Sequence, residues 1–281
     1  MSKASKWLSF HFHLASLVIG FIMIYPILWT FASSLKEEEE IFRRATSLLP
    51  RSFDWRNYAE GWVGFGNLGF DAFFLNSAIT TSLIVVGTLI SSTLVAYGFA
   101  RMTFPFRAFL FGCLLVTIML PSQVTLIPQY IIFHRLGWVN TFLPLIVPAF
   151  IGGTPFFIFL TIQFMKGIPR ELDHAARIDG CGSLGIFLRI ILPLMRPVMT
   201  TAAIFSFYWA WDDFMTPLIY LNDPKLFTVS LGLKMFSDPY SVSAWGPMLA
   251  MSTLSLLPQF IIFLFFQRYL VEGIATTGLK G

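Results

Sequence analysis

Five stretches of this chain contain no Asp, Glu, Lys or Arg: Trp7–Leu35, Ala72–Ala100, Ala108–Phe133, Leu136–Met165 and Pro239–Gln267. Each exceeds the roughly 20 apolar residues a helix needs to cross the hydrocarbon core of a bilayer. A chain patterned this way must turn many of its side chains toward lipid. A sixth stretch, Pro197–Asn222, is equally apolar but carries Asp212 and Asp213 inside it. The expected fold is therefore an all-α membrane protein with six transmembrane helices. Composition agrees, because only 12% of residues are charged, against about 25% in soluble domains.

Lysine and arginine placement orients the spans. With a cytosolic N-terminus, the cytosolic side carries Lys3, Lys6, Arg101, Arg107, Lys166, Arg170, Arg177, Arg189, Arg196, Arg268 and Lys280. These eleven face eight outside, five of which sit in the first loop beside Glu37–Glu40. Both termini are accordingly expected in the cytosol. The net charge of +4 is an orientation signal, and with no aromatic-basic stripe beside it nucleic acid is not an expected partner. Lys3 and Lys6 precede an apolar run, as in a signal peptide. That run is far longer than the 7–15 residues or so of a signal's apolar region, so it reads as the first helix. Cys113 in a span and Cys181 in a loop fall at different depths and imply no disulfide framework.

The segments group into an N-terminal helix with its outer loop (1–71), a five-span core (72–268) holding a long cytosolic loop (166–197), and a cytosolic tail (269–281). In the outer loop, Gly64-Phe-Gly66-Asn-Leu-Gly69 has dinucleotide-fingerprint spacing but lacks the strand and helix that give this spacing its chemistry. No GxxxxGK[ST] phosphate loop occurs anywhere, so ATP hydrolysis would have to reside on another chain. The turn Arg101–Arg107 and the outer turn at Gly137 make neighbouring spans antiparallel. Pro121 and Pro128 interrupt the third span, Pro144, Pro148 and Pro155 the fourth, and Pro258 the sixth. Proline frees carbonyls that lipid cannot satisfy, which places these segments against other helices or a water-lined path; the alternative is that proline is simply commoner in membrane helices. His11 and His13 point to different helix faces, against a metal site, and no catalytic constellation is present.

The loop Lys166–Pro197 is much longer than antiparallel pairing requires. Pro169 suits the first turn of a helix, Glu171 and Asp173 complement its positive end, and Gly180 suits its stop. These signals predict a helix over Pro169–Asp179. Asp173 and Arg177, four apart, are placed to pair on its surface. Leu172, Ala175, Ala176 and Asp179 form a small-residue ledge that another protein's surface can approach closely. Gly180 allows a sharp turn into Ser183, expected to cap a second helix, and Phe187, Ile190 and Ile191 carry a new apolar face to Pro193.

Glu171-Leu-Asp-His-Ala175-Ala176-Arg-Ile-Asp179-Gly180, followed by Phe187-Leu-Arg-Ile190-Ile-Leu192-Pro193-Leu-Met-Arg-Pro197, resembles the EAA loop of bacterial ABC-importer permeases. Asn76-Ser77, Tyr97-Gly-Phe-Ala100-Arg101-Met-Thr-Phe104, Trp211-Asp-Asp-Phe214-Met-Thr-Pro217-Leu, Phe227-Thr-Val-Ser-Leu-Gly232-Leu and Gly278-Leu-Lys-Gly281 are similar to the smaller permease subunit of maltose-type carbohydrate transporters. The resemblance implies a type I ABC-importer permease in the bacterial cytoplasmic membrane, passing a sugar or oligosaccharide. It implies a cytosolic coupling helix between spans four and five that docks on an ATPase subunit through Glu171, His174, Ala175, Ala176, Asp179 and Gly180. A second permease, two ATPase subunits carrying the ATP and magnesium, and an extracytoplasmic solute-binding protein are the implied partners, with no cofactor in this chain and no enzyme activity of its own. One position departs from the motif: the usual Glu is His174, so no contact assigned to that carboxylate transfers. The loop does not encode the solute, and a glycerophosphodiester is the alternative cargo.

Asp212 and Asp213 interrupt an apolar span, where an unpaired carboxylate is costly. Three readings stand: Trp211, Asp212 and Asp213 line the translocation path beside Trp209 and Tyr208, the acids relay protons in a secondary transporter, or the pair stabilises a bend near Pro217. Adjacent helical residues diverge by about 100°, so at most one of the two acids faces a pore.

Overall fold

A computed structural model describes residues 3–237 and 244–278. Among them every extended element is helical, apart from one isolated bridge between Phe65 and Leu68. In chain order the helices are α1 (Lys3–Ser33), α2 (Glu38–Arg43), α3 (Arg56–Val63), α4 (Phe70–Arg101), α5 (Arg107–Met119), α6 (Ser122–Arg135), α7 (Leu143–Ile151) and α8 (Pro155–Lys166). There follow α9 (Glu171–Ile178), α10 (Ser183–Ile186), a π-helical turn (Phe187–Ile191), α11 (Leu192–Leu194), α12 (Arg196–Trp211), α13 (Met215–Tyr220), α14 (Val229–Met235) and α15 (Trp245–Gly278).

Four segments are long and apolar enough to cross a membrane: His11–Ser33, Phe70–Arg101, Leu143–Lys166 and Trp245–Gln267. Two bent pairs raise the number to six if each is one span: α5 with α6, turned by 106°, and Ser183–Leu194 with α12, turned by 73°. The expected third span, Ala108–Phe133, is thus not one rod. Leu120 leaves helical geometry with ψ 127, and Pro121, which has no N–H to continue the ladder, stands as the N-cap of α6. The expected fourth span breaks as well, between α7 and α8, where Gly153 takes φ +58. A Cβ there would lie 2.6 Å from Ser91 Oγ on α4, so only glycine permits this approach. Pro128, Pro148 and Pro258, by contrast, lie inside helices that continue through them. The fifth apolar run stops at Trp211 and resumes at α13. The expected start of the sixth span at Pro239 and the last residues of the C-terminal motif, 279–281, lie outside the described residues.

The chain divides into two compact units, Met1–Asp71 with Gly232–Leu257, and Ala72–Leu231 with Pro258–Gly281. In the first unit, the most apolar window of α1 buries none of its residues within the chain, whereas 44% of the corresponding window of α4 is buried; that window of α1 presents its side chains to lipid or to another protein. The segment expected as a polar outer loop is folded around α2 and α3. Lys36 is fully buried and donates through Nζ to the Ser47 carbonyl (2.6 Å) and the Arg44 carbonyl (3.4 Å). Burial lowers the pKa of this ammonium while Glu40 opposes the shift. Asn57 Nδ2 bonds the carbonyls of Ser34 and Lys36 at 2.9 and 2.8 Å. The Glu38 carboxylate accepts the N–H groups of Trp245 and Gly246 at 2.9 and 3.2 Å, which satisfies two orphan donors at the positive end of α15.

The core of the second unit is an apolar cluster from α4, α8, α9, α10 and α12. It includes Ala96, Tyr97, Ala100, Ile158, Ile162, Met165, Ala176, Ile186, Phe187, Ile191, Met195 and Val198.

Candidate functional site

The helix α9 begins two residues later than Pro169 suggests. Proline at 169 precedes the N-cap, and the carbonyl of Arg170 receives the first helical bonds, from the N–H groups of Asp173 (3.0 Å) and His174 (3.1 Å). The helix ends where Gly180 predicts. Gly180 takes φ +82, its N–H bonds the Arg177 carbonyl (3.1 Å), and the Cys181 N–H bonds the Ala176 carbonyl (2.8 Å). This paired closure is a Schellman motif, which needs a left-handed residue at that point. No atom outside the local chain lies within 4 Å of a Cβ built on Gly180, so the turn requires glycine for its backbone angle and not for space.

The expected ledge divides between two faces. Ala176 is 5% exposed and belongs to the apolar cluster, while Glu171, His174, Ala175, Asp179 and Gly180 share the exposed side with Ile178, which is 86% exposed. Of the six residues assigned to ATPase docking, five are thus outward and Ala176 is a packing residue. The expected Asp173–Arg177 surface pair does not form. Asp173 turns inward, and its Oδ2 lies 3.3 Å from Nε of Arg101 at the C-terminal end of α4, with the two side chains 11% and 4% exposed. This is charge contact without a hydrogen bond: Arg101 Nε and Asp173 Oδ1 have no hydrogen-bond partner among the described residues.

Three further bonds tie the same end of α4 to the loop. Arg101 Nη2 donates to the Ile168 carbonyl (2.8 Å), Arg170 Nη2 to the Ala100 carbonyl (3.1 Å), and the Tyr97 hydroxyl to the Ser183 carbonyl (2.9 Å). Ser183 is not a cap, because Gly182 holds the N-cap position and Ser183 opens α10. By sequence Arg170 stands out only as an orientation charge, and Arg101 as that and as part of the Tyr97–Phe104 motif; the signal for Arg170 is that the last carbonyls of α4, Ala100 among them, need donors.

A cavity of about 310 Å³ lies elsewhere in the same unit, walled by α4, α6, α7, α8, α12 and α13. Of Trp211, Asp212 and Asp213, only Asp213 lines it. Trp211 is buried, with its ring 5.5 Å from Phe207 and 6.0 Å from Phe74. Asp212 accepts from Gln259 Nε2 at 2.6 Å, and the Gln259 carbonyl accepts from the Tyr208 hydroxyl at 3.0 Å. Asp213 Oδ1 accepts the Thr216 N–H (3.0 Å), which satisfies an orphan donor in the first turn of α13 just before Pro217, Phe214 holding the N-cap position. The bend and the lining of a cavity therefore meet in one residue. Two aromatic residues complete the chemistry of the wall. Trp209 is 48% exposed and braced by Phe156 and Phe157 at 5.3 and 4.9 Å. Tyr220, which no sequence signal marks, is 3% exposed, and its hydroxyl has no partner among the described residues, a state that costs about 1–3 kcal/mol. No cluster of three metal-ligating side chains occurs among the described residues.

Residues 90–276, which include α9 and most walls of the cavity, match the family model of the binding-protein-dependent transport system inner membrane component. The chain is 36% identical over 281 residues to a probable ABC transporter permease protein, YurM, of Bacillus subtilis (strain 168), covering 100% of this chain and 90% of the relative. It is 33% identical over 281 residues to the arabinooligosaccharides transport system permease protein AraQ of Halalkalibacterium halodurans, covering 99% of each. It is 32% identical over 267 residues to the sn-glycerol-3-phosphate transport system permease protein UgpE of Agrobacterium fabrum, covering 93% of this chain and 94% of the relative. Its fold matches a chain from the crystal structure of a bacterial ABC transporter involved in the import of the acidic polysaccharide alginate, with a TM-score of 0.83, 19% identity and 96% and 98% of the two chains covered.

Proposed function

This chain belongs to the binding-protein-dependent transport system inner membrane component family, and on that premise we propose that it is the permease subunit of an ATP-driven importer, forming half of a channel for a sugar or oligosaccharide. The observation that carries this reading is the full-length similarity to permeases named for oligosaccharide transport, AraQ among them. Six spans, a cytosolic N- and C-terminus and the division 1–71, 72–268 and 269–281 complete the proposal. ATP and magnesium belong to two ATPase partners; a second permease and an extracytoplasmic binding protein supply the other half-channel and the cargo.

In this reading α9 is the coupling helix. Closure of the ATPase subunits displaces its exposed side, Glu171, His174, Ala175, Asp179 and Gly180 with Ile178. The buried side carries that displacement to α4 through the Arg101–Asp173 pair and the apolar cluster around Ala176. Packed cores are bistable and transmit strain, so a shift at α9 becomes a tilt of the attached helices and alternating access.

The test is reconstitution. The purified chain is expected neither to bind nor to hydrolyse ATP, and uptake is expected only with ATPase, partner permease and binding protein present. Hydrolysis by this chain alone, or uptake that persists without an ATPase and collapses with a protonophore, would overturn the proposal. A second reading, import of a non-sugar solute, is favoured by the relatives named for sn-glycerol-3-phosphate transport; binding measurements on the cognate binding protein separate the two.

A further inference from the structure

We propose that the cavity at Asp213 is a subsite for one uncharged sugar ring of the transported molecule, so that this chain grips the cargo and selects against acidic and phosphorylated solutes. The inference rests on the reading of the chain as a saccharide-importer permease.

Three residues that line the same space carry unspent polar groups. The Tyr220 hydroxyl is buried without a partner among the described residues. Buried polar groups are almost always satisfied, so an exception retained in a cavity wall marks a place for a ligand atom. Asp213 spends Oδ1 on the Thr216 N–H, while Oδ2 accepts no bond from any described residue. The amide of Gln129 makes no hydrogen bond among the described residues either. A hydroxyl, a carboxylate oxygen and a primary amide are the donors and acceptors that vicinal ring hydroxyls require.

Trp209 adds an apolar platform to the same wall, braced by Phe156 and Phe157 and half exposed. An indole face suits the C–H face of a pyranose as polar groups suit its rim. The volume, about 310 Å³, sits at the small end of the 300–1,000 Å³ or so typical of ligand pockets, which fits a single ring better than several. Charge sets the selection. Among the described residues of this wall, Asp213 alone is charged at neutral pH, with no Lys, Arg or His beside it. A uronate or phosphate entering there would meet a carboxylate across a weakly screening medium.

The experiment uses the complete transporter in proteoliposomes with its binding protein. The probes are maltotriose, arabinotriose and raffinose as neutral cargo, and trigalacturonate and sn-glycerol 3-phosphate as anions. At least one neutral probe is expected to be imported and both anions refused. Tyr220→Phe and Asp213→Asn are each expected to slow uptake by about tenfold, as loss of one ligand hydrogen bond would. ATP hydrolysis stimulated by the binding protein should stay at its wild-type rate. Tyr220→Phe removes only the unpaired hydroxyl, so the melting temperature of the complex should hold or rise while uptake falls; this variant carries the test alone if Asp213→Asn does not assemble. Import of an anion would overturn the charge selection. Unchanged neutral uptake in the variants would remove the subsite while leaving the saccharide importer standing. Failure to import any of the saccharides would bring down the saccharide-importer reading, and the subsite with it.

Discussion

Asp173 and Asp213 are both carboxylates held in the second unit, and they are satisfied in opposite ways. Asp173 on α9 reaches a cation on another element, Arg101 of α4, with little solvent at either side chain. Asp213 turns to its own neighbourhood, accepting the N–H of Thr216 three residues on, and keeps an oxygen in reserve beside a cavity. The first arrangement fastens two segments distant in sequence. The second shapes a bend locally and leaves chemistry to spare. A subunit of the kind proposed, coupled to an ATPase through one site and holding cargo at another, has use for both.

Arg101→Ala offers the hardest blow to this contrast. It leaves Asp173 buried and uncompensated and is expected to cost about 3–5 kcal/mol, read as a large drop in the melting temperature of the purified complex. The double change Arg101→Met with Asp173→Leu should recover most of that loss; if the single change costs under about 1 kcal/mol, the pair is no fastener. Asp213→Ala is the matched change at the other site. Loss of one hydrogen bond at a helix start should cost only about 0.5–2 kcal/mol of stability, with uptake affected far more than melting, and a stability loss as large as that of Arg101→Ala would erase the distinction.

Gly180→Ala probes the turn beyond α9. With φ +82 and open space around it, the strain should come to roughly 1 kcal/mol. The bulkier Gly180→Asp should uncouple ATP hydrolysis from uptake while the protein still inserts in the membrane; normal uptake would mean that the docking surface lies elsewhere. His174→Glu is the gentlest change. An exposed acid near the start of α9 should shift stability by about 0.3–1 kcal/mol at most. A marked rise in ATPase coupling on that substitution would show that the carboxylate absent from this motif matters.

Much of this architecture is written in one-dimensional signals because lipid is a simple solvent. Uninterrupted runs without charge give the apolar segments, and Gly180 gives the end of α9, since a positive φ is cheap only for glycine. The fastening of α9 was not legible. The four-residue spacing of Asp173 and Arg177 offers a local pair, yet the carboxylate sits on the buried side of the helix, where among the described residues it meets Arg101. Ser183 has the chemistry of a cap, but Gly182 takes the extended backbone that the N-cap requires. Nor does a proline declare whether its helix is interrupted: Pro121 stands at a 106° turn between two helices, while α15 continues past Pro258. Asp213 and Asp212 look alike as neighbours in an interrupted span, and only the fold assigns one to the cavity and the other to Gln259.

The π-helical turn at Phe187–Ile191 has a further meaning for how such a chain tolerates insertions and deletions. A π turn is an α-helix with a surplus residue wound into it. Loss of one residue between Phe187 and Ile191 would let the backbone relax to ordinary helical winding, and because the wide turn already absorbs the surplus residue, the helix beyond it would keep its facing. Met195 and Val198, which now close the apolar cluster, would stay on their face, whereas loss of a residue from an ordinary α-helical stretch would rotate all that follows it by about 100°. The turn therefore acts as slack in the winding, and loss of one residue there should be better tolerated than the same loss from the α-helical segments on either side.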